Sequence, residues 1–191
     1  MATSPPEKAM RADARRNRDK LIAAAKDLFA ETGTDVSLDA VARRAGVGPG
    51  TLYRHFPKRE NLIDAIMQVW VDSVEEAAEK ALASEGSARD LLMAWFTEYV
   101  RLISLHKGGP AKITSAMDDP SSPIQHKCQV LRTAGGRVVD RLRADGALRD
   151  DVDALQISRL VGGVATVADQ ADLDEDAVRP MLEVVADGLL R

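Results

Sequence analysis

Few side chains in this sequence have the type and spacing of a catalytic or metal centre. The candidate metal ligands are two histidines, one cysteine and two aspartates, namely His106, His126, Cys128, Asp118 and Asp119. His126 and Cys128 are two residues apart on a helical pattern, so their side chains point to different faces and do not converge on one ion. The sequence has no GxSxG, HExxH, GxGxxG or GxxxxGK[ST] motif. We therefore expect no enzyme, no bound metal and no cofactor.

Charged side chains are distributed unevenly along the chain. Residues 1–60 carry 12 Lys and Arg against 8 Asp and Glu, a formal charge of +4, whereas the remaining 131 residues carry −8. A basic segment on a protein of net charge −4 indicates a local contact with a polyanion such as nucleic acid. An ordinary solvated surface is the alternative that charge alone leaves open.

Length and composition are those of an ordinary globular protein. The 191 residues are 45% hydrophobic and 29% charged, which suffices for one or two domains with their own cores. The single cysteine, Cys128, excludes an internal disulfide and favours a reducing compartment. No segment has the length and hydrophobicity of a membrane span or a signal peptide, so we expect a cytoplasmic protein without membrane contact.

Helices are the elements that must position the polar side chains. Residues 1–12 are polar and contain two prolines, so we expect a flexible arm there. The apolar spacing then predicts a first helix whose buried face is Leu21, Ala25, Leu28 and Phe29. Ser37 is placed to cap a second helix that ends at Gly46, and a third short helix follows to about Phe56. No run shows the alternation of an exposed strand, and the pattern predicts an all-α chain of about nine helices.

Residues 37–56, SLDAVARRAGVGPGTLYRHF, have the composition of a helix-turn-helix. Two short helices that cross steeply need a small residue where they touch, which Ala42 supplies, and a turn residue tolerant of positive φ, which Gly46 supplies. The apolar anchors on both helices are Val41, Ala45, Val47, Leu52 and Phe56. Leu52 and Phe56 are four residues apart and face inward, so the other side chains of the third helix are left to face outward.

This stretch resembles the TetR family of bacterial transcription regulators. The resemblance runs from about Asp13 to Trp70 through LFAETG, SLDAVARRAGV, TLYRHF and KRENL, and beyond residue 75 only the number and length of the helices are similar. It implies a helix-turn-helix domain at 13–73 after the arm, and a helical ligand-binding and dimerisation bundle at 74–191. Arg59 stands where the family usually has a lysine, with Lys58 beside it.

The resemblance implies that the third helix enters the major groove of a double-stranded DNA operator. The residues directed toward DNA or its edges are Gly48, Thr51, Tyr53, Arg54 and His55. Those expected to bind phosphates are Ser37, Tyr53, His55, Lys58 and Arg59, and those expected to read bases are Thr51 and Arg54. A core role for Tyr53, a satisfied surface role for His55 and a solvated or phosphate-binding Arg54 are the alternatives. Basic residues near the arm either reach the minor groove or form a solvated helix start, namely Arg11, Arg15, Arg16 and Arg18.

The resemblance also implies a homodimer on a pseudo-palindromic operator and a small-molecule effector bound in the C-terminal bundle. The candidates for the pocket lining, with an ordinary core as the alternative, are Met67, Trp70, Met93, Trp95, Phe96, Tyr99 and Met117. The candidates for an intersubunit four-helix bundle, with closure of the monomer's own core as the alternative, are Leu160, Val161, Val164, Val167, Val178, Met181, Leu182, Val185 and Leu189. The implied function is a repressor that its ligand releases from DNA. A ligand-independent repressor or architectural factor is the competing interpretation, and a metal sensor or an enzyme is a remote alternative.

Overall fold

The structure is a computed structural model that describes residues 5–32, 36–117, 119–122 and 124–191. Within those ranges the chain forms nine helices: α1 (Pro5–Thr32), α2 (Leu38–Ala45), α3 (Pro49–His55), α4 (Arg59–Leu82), α5 (Ala88–Ile103), α6 (Gly109–Ala116), α7 (Gln125–Ala144), α8 (Ala154–Gln170) and α9 (Glu175–Leu189). The extended pairing seen there is one antiparallel bridge between Leu148 and Leu190. The all-α prediction is confirmed. None of the helices described is both long and apolar enough to cross a membrane.

The first helix begins earlier than the sequence pattern indicates. It starts at Pro5, so residues 5–12, which were expected to form a flexible arm, are helical. Proline is tolerated in the first turn of a helix because the N–H that it lacks would have no intrahelical partner there. Residues 1–4 of the expected arm, and the candidate ligand Asp118, lie outside the described residues.

The chain divides into two compact units, Met1–Val69 and Trp70–Arg191. The core of the first unit joins α1, α2, α3 and the start of α4, and its buried residues are Leu21, Ile22, Ala24, Ala25, Val41, Ala42, Leu52, Phe56, Leu62 and Ala65. All of them are apolar. The polar side chains of α2 and α3 are therefore left on the outside of the unit.

The link between α2 and α3 has the geometry that a helix-turn-helix requires. Ser37 caps α2 by accepting a hydrogen bond from the Ala40 N–H at 3.2 Å. Gly46 ends the helix with φ of 65°, a left-handed conformation that costs glycine little. The N–H of Val47 then donates to the Ala42 carbonyl at 3.0 Å, which satisfies an orphan carbonyl of the last turn. The turn thus fixes the direction in which α3 leaves.

The second unit is a helical bundle with an aromatic core. Phe96 and Tyr99 of α5 are 0% and 1% exposed, and Trp95 meets the Tyr99 ring edge-on at 5.8 Å between centroids. Two of its helices begin with reciprocal capping boxes, Ser87 with Asp90 on α5 and Asp153 with Gln156 on α8.

Candidate functional site

Helix α3 has one buried and one exposed side. Leu52 and Phe56 are 0% and 3% exposed and hold the helix against the core of the first unit. Tyr53 is 46% exposed, Arg54 is also exposed, and Thr51 and His55 are half-buried. Pro49 begins the helix, and the exposed Gly48 before it has no side chain that could form a cap hydrogen bond. The structure therefore brings the expected base-reading and phosphate-binding side chains of α3 onto one outward surface.

The Ser37 hydroxyl caps α2 and has no acceptor for its own proton among the residues that the structure describes. Its hydroxyl oxygen accepts from Ala40, and the side chain is exposed. A serine hydroxyl has one donor in addition to its acceptor sites, so the same group can still donate to a phosphate oxygen. The first turn of α2 also presents its N-terminal N–H groups on this side of the helix, where anions are favoured.

The two basic residues before α4 have different environments. Lys58 is exposed, and its backbone N–H donates to the Asn61 side chain at 3.1 Å, which fixes the start of the helix. Arg59 instead folds inward: Nη1 donates to the Val36 carbonyl at 2.7 Å, and the guanidinium lies 5.8 Å from the Phe29 ring centroid. This differs from the expectation of a phosphate ligand at Arg59. Its guanidinium is used to hold the α1–α2 connection to α4, whereas Lys58 remains available.

An additional basic residue lies beside the end of α3. The guanidinium of Arg18, on α1, is 5.8 Å from the Phe56 ring centroid. It borders a shallow, open depression together with His55 and Asn61. The sequence marks Arg18 only as part of a basic run, because its distance from α3 depends on how α1 packs.

The expected pocket residues mostly fill the core of the second unit. Side chains no more than 7% exposed are Trp70, Met93, Trp95, Phe96 and Tyr99. Met117 is half-buried, and Met67 is half-buried on the part of α4 that belongs to the first unit. For most of these residues, packing is therefore the role that the structure supports. Tyr99 and Met117 also border a small cavity.

This cavity has a volume of about 20 Å³ and is enclosed by α5, α6, α7 and α8. Its lining residues are Tyr99, Ile113, Met117, Gln125, Cys128, Gln129, Leu131, Arg132, Leu155 and Ser158. No carboxylate is among them, and Arg132 is the charged residue of the lining. Sequence reasoning missed its polar members on α7 and α8, because a helical stripe does not reveal which neighbours leave a gap.

Two neutral donors line the cavity. The Tyr99 hydroxyl is buried and has no hydrogen-bond partner within the described part of the chain. The nearby Ser158 hydroxyl donates to the Ala154 carbonyl at 2.9 Å and keeps its acceptor sites. Burial raises the pKa of the Tyr99 phenol well above its usual value, a negative charge on a deprotonated Cys128 would add to this, and the Ser158 hydroxyl opposes it. Burial likewise raises the pKa of the Cys128 thiol, which contacts the Ile113 carbonyl at 3.7 Å. Both groups are protonated at neutral pH.

A larger open cleft of about 530 Å³ lies where α5 faces the α8–α9 connection. None of the expected pocket residues lines it. Its basic members are Arg101, Lys107 and Arg179, and its acidic members are Glu98, Asp169, Asp172, Asp174 and Glu175. Arg101 pairs with Glu98 at 2.7 Å, and Lys107 pairs with Asp172, so much of this charge is compensated within the protein.

The candidate dimer residues fall on two sides of their helices. Four of them are no more than 6% exposed and belong to the protomer's own core, which corrects their assignment to an interface: Val161, Val178, Leu182 and Leu189. The remaining five are exposed or half-buried, namely Leu160, Val164, Val167, Met181 and Val185. Val184, which the sequence analysis did not select, is 72% exposed. Within α8, a Cβ on Gly162 would lie 2.5 Å from Thr114 Oγ1, so this glycine permits the α6–α8 contact inside one protomer.

Of the residues considered for a metal site, those that the structure describes do not come together. Within the ranges that the structure covers, no group of three or more His, Cys, Asp or Glu side chains has the arrangement of a metal site. Cys128 is buried next to Ile113, and its neighbours in the cavity are amides, hydroxyls, apolar groups and the guanidinium of Arg132.

Two family models match the chain. The model described as bacterial regulatory proteins, tetR family, matches residues 21–66. The model described as transcriptional regulator SbtR-like, C-terminal domain, matches residues 87–191. The first match contains α2 and α3 with their turn, and the second contains α5 to α9.

Individual transcription regulators are also similar to the chain in sequence and in structure. The chain is 36% identical to an HTH-type transcriptional regulator of Staphylococcus aureus (strain MRSA252) over 97 residues, 48% of this chain and 50% of that protein. It spans half or less of the length of the curated relatives it matches. A TetR transcriptional regulator of Streptomyces coelicolor has a similar structure, with a TM-score of 0.67, 32% identity and coverage of 91% of this chain and 98% of that one. A TetR regulatory protein of Mycobacterium vanbaalenii has a TM-score of 0.64, 30% identity and coverage of 95% and 99%.

Proposed function

Because the chain belongs to the TetR family of DNA-binding transcription regulators, we propose that it is a repressor that a small molecule releases from its operator. The observation that carries this proposal is the exposed side of α3, where Tyr53 and Arg54 stand outward over the buried Leu52 and Phe56. A short helix of this kind, held by a fixed turn, is the element that enters the major groove.

The proposed contacts to DNA are of two kinds: contacts to phosphates position the protein, and contacts to bases determine its sequence preference. Tyr53, His55 and Lys58 bind backbone phosphates, and Ser37 donates to another at the start of α2. Thr51 and Arg54 face the bases, where Arg54 can make a bidentate contact with guanine. Arg59 has no place among these ligands, because it is turned toward Val36 and Phe29.

The chain acts as a homodimer on a pseudo-palindromic operator. Support comes from the apolar groups that α8 and α9 leave exposed: Leu160 at 50%, Val167 at 48% and Val184 at 72%. Half-buried neighbours extend this surface, namely Val164, Met181 and Val185. Pairing two copies through these helices would form a four-helix bundle, and the two recognition helices must then match half-sites about 34 Å apart.

The effector binds in an opened form of the cavity beside Tyr99. An unpaired buried hydroxyl is costly, so a ligand acceptor placed against it is favoured. Since no carboxylate lines the cavity and Arg132 does, the effector is a neutral or anionic molecule with a hydrogen-bond acceptor. If the ligand weakens DNA binding, DNA weakens ligand binding by the same factor.

The volume of about 20 Å³ favours a second candidate function, a repressor that needs no ligand. Typical ligand sites in proteins are about 300–1,000 Å³. An effector that binds in the cavity beside Tyr99 therefore requires the surrounding helices to separate. A screen for small molecules that bind the protein distinguishes the ligand-released repressor from the ligand-independent one.

Fluorescence anisotropy on a duplex selected from a random library, compared with a scrambled duplex, tests the DNA-binding step. We expect the wild type to prefer the selected duplex and to weaken with salt, whereas Tyr53→Ala binds more weakly to both. Tyr53→Phe, which keeps the ring and removes the hydroxyl, is the matched control for packing. Equal affinity of the wild type for both duplexes would count against a sequence-specific regulator.

Thermal stabilisation by a panel of small carboxylic acids, each with its amide and its amine, tests the effector step. We expect stabilising compounds among the acids or amides, loss of the effect in Tyr99→Phe, and release of the operator by the same compounds. Stabilisation by amines alone would contradict the assigned chemistry. Operator binding that no stabilising compound reverses would support the ligand-independent repressor.

A further inference from the structure

The N-terminal half of α1 carries a line of arginines. Arg11, Arg15 and Arg18 are spaced by four and three residues, which places them on one face of the helix. Four residues further along the same line is Ile22, which is 5% exposed and belongs to the core of the first unit. The arginine line therefore continues the stripe with which α1 packs on α2 and α3, and it faces the same side.

The line meets the recognition helix at its C-terminal end. Arg18 lies over the Phe56 ring at 5.8 Å, and it borders the same depression as His55 and Asn61. His55 is one of the residues placed above against a phosphate. Arg15 lies one turn further from this contact, about 4.5 Å along the helix axis. A DNA strand that passes the end of α3 thus comes within reach of both arginines.

Neither Arg15 nor Arg18 is in an ion pair with a carboxylate in the part of the chain that the structure describes, and both side chains are exposed. Arg16 differs from them. It lies on another face of the helix and pairs with Asp13. One helix therefore offers, toward the α3 side, two arginines outside any ion pair of the described residues, and away from it one arginine that is paired. The carboxylate of Asp64 borders the same depression as Arg18 without forming an ion pair with it.

We propose that Arg15 and Arg18 bind backbone phosphates of the operator beyond the bases that α3 contacts. The inference rests on the DNA-binding function proposed above and extends its footprint outside residues 21–66, the range that the family model matches. Guanidinium groups bind phosphate oxygens through paired N–H donors, independent of base sequence. The two arginines increase affinity for any duplex and its dependence on salt, without a change in sequence preference.

The test is the salt dependence of DNA binding, measured by anisotropy on the selected and the scrambled duplex. Each phosphate contact contributes about 0.9 to the slope of log K against log salt concentration. The double variant Arg15→Gln/Arg18→Gln should therefore lower the slope by about 1.8 per bound protomer on both duplexes. Arg16→Gln, which removes one positive charge from another face of the same helix, should keep the wild-type slope. Arg15→Lys/Arg18→Lys keeps the charge and should largely restore it.

Several results would overturn the proposal. A double variant with the wild-type slope, or an Arg16→Gln variant with an equal loss, shows that these arginines do not neutralise phosphates specifically. A fall in preference for the selected duplex assigns them to base reading instead. A wild type without salt-dependent affinity for either duplex removes the DNA-binding function and this site together, so the two failures are distinguishable. Thermal unfolding of each variant checks that α1 still packs.

Discussion

The two units of the chain use tyrosine in opposite ways. In the first unit Tyr53 is 46% exposed on α3, where its ring and hydroxyl can reach another molecule. In the second unit Tyr99 is 1% exposed, packs against Trp95 and borders the small cavity between α5, α6, α7 and α8. The same residue type is thus exposed at the surface of one unit and packed in the core of the other.

The difference fits the partner that we propose for each unit. DNA is a large, charged and wet partner, so its contacts can stay on the surface and cost the fold little. The proposed effector is a small molecule that the second unit would have to enclose, so its contacts would be drawn from residues that otherwise form the core. Substitutions should therefore separate binding from stability in the first unit and couple them in the second.

The largest expected effect is on stability in the second unit. Phe96→Ala should lower the free energy of unfolding by about 3–5 kcal/mol, because a fully buried ring is lost and a cavity remains. Denaturant unfolding measures the change. Tyr53→Ala, the matched loss of an exposed ring, should stay within about 0.5 kcal/mol of the wild type. Equal losses in the two variants would remove the contrast between the units.

The next effect is on base discrimination in the first unit. Arg54→Ala should reduce the preference for guanine at one operator position by about 1–3 kcal/mol, a factor of about 5 to 150. Competition binding on single-base variants of the selected duplex measures it. Lys58→Ala is the control, and it should weaken all duplexes alike because it acts on phosphate. A uniform loss for Arg54→Ala would reassign that residue to the phosphates.

A matched pair of helix caps sharpens the comparison. Ser37→Ala and Ser87→Ala each remove a hydroxyl that accepts from the third residue along, and each should cost about 1 kcal/mol of stability. Only Ser37→Ala should also weaken DNA binding, since Ser87 caps a helix of the second unit. Unfolding and anisotropy on both variants decide this. Weaker DNA binding in Ser87→Ala would argue for a general effect of stability.

The smallest expected effect is on the pH dependence of stability in the second unit. Asp90 accepts from the hydroxyl and the N–H of Ser87, at 2.7 and 2.8 Å, and these bonds hold its pKa below the usual value. Because the pKa is lower in the folded state, the carboxylate stabilises α5 above about pH 4, and this contribution is lost as the pH falls through the lowered pKa. The melting temperature of Asp90→Asn should therefore be slightly below that of the wild type at pH 7. The difference should shrink as the pH is lowered, which thermal unfolding at several pH values measures. A difference that persists in acid would point to geometry instead of charge.

The sequence predicted the helix-turn-helix well because each of its requirements is local. Ala42 at the contact, Gly46 at positive φ and Ser37 as a cap are all set by neighbours within a few residues. The early start of α1 was not predicted, because its first turns have no apolar face to reveal them. Helix propensity and the tolerance for proline at an N-terminus determine that start.

The sites in the second unit could be predicted only in part, because they depend on which helices meet. A stripe such as Leu160, Val161 and Val164 shows that a helix is amphipathic, but the boundary between core and surface runs between its members. Val184 was missed for the same reason. Cys128 and Ser158 border the cavity only because α7 and α8 converge near Tyr99, and this arrangement has no local sequence signal.

Both tryptophans of the chain lie in the second unit, where Trp70 donates to the Leu102 carbonyl at 3.1 Å and Trp95 packs against Tyr99. The tryptophan fluorescence of the protein therefore reports on that unit, and the DNA-binding unit has no tryptophan fluorescence of its own. A molecule that opens the cavity beside Tyr99 should shift this emission without any label. Unfolding of the first unit will be visible in circular dichroism before the fluorescence changes, if the first unit melts earlier.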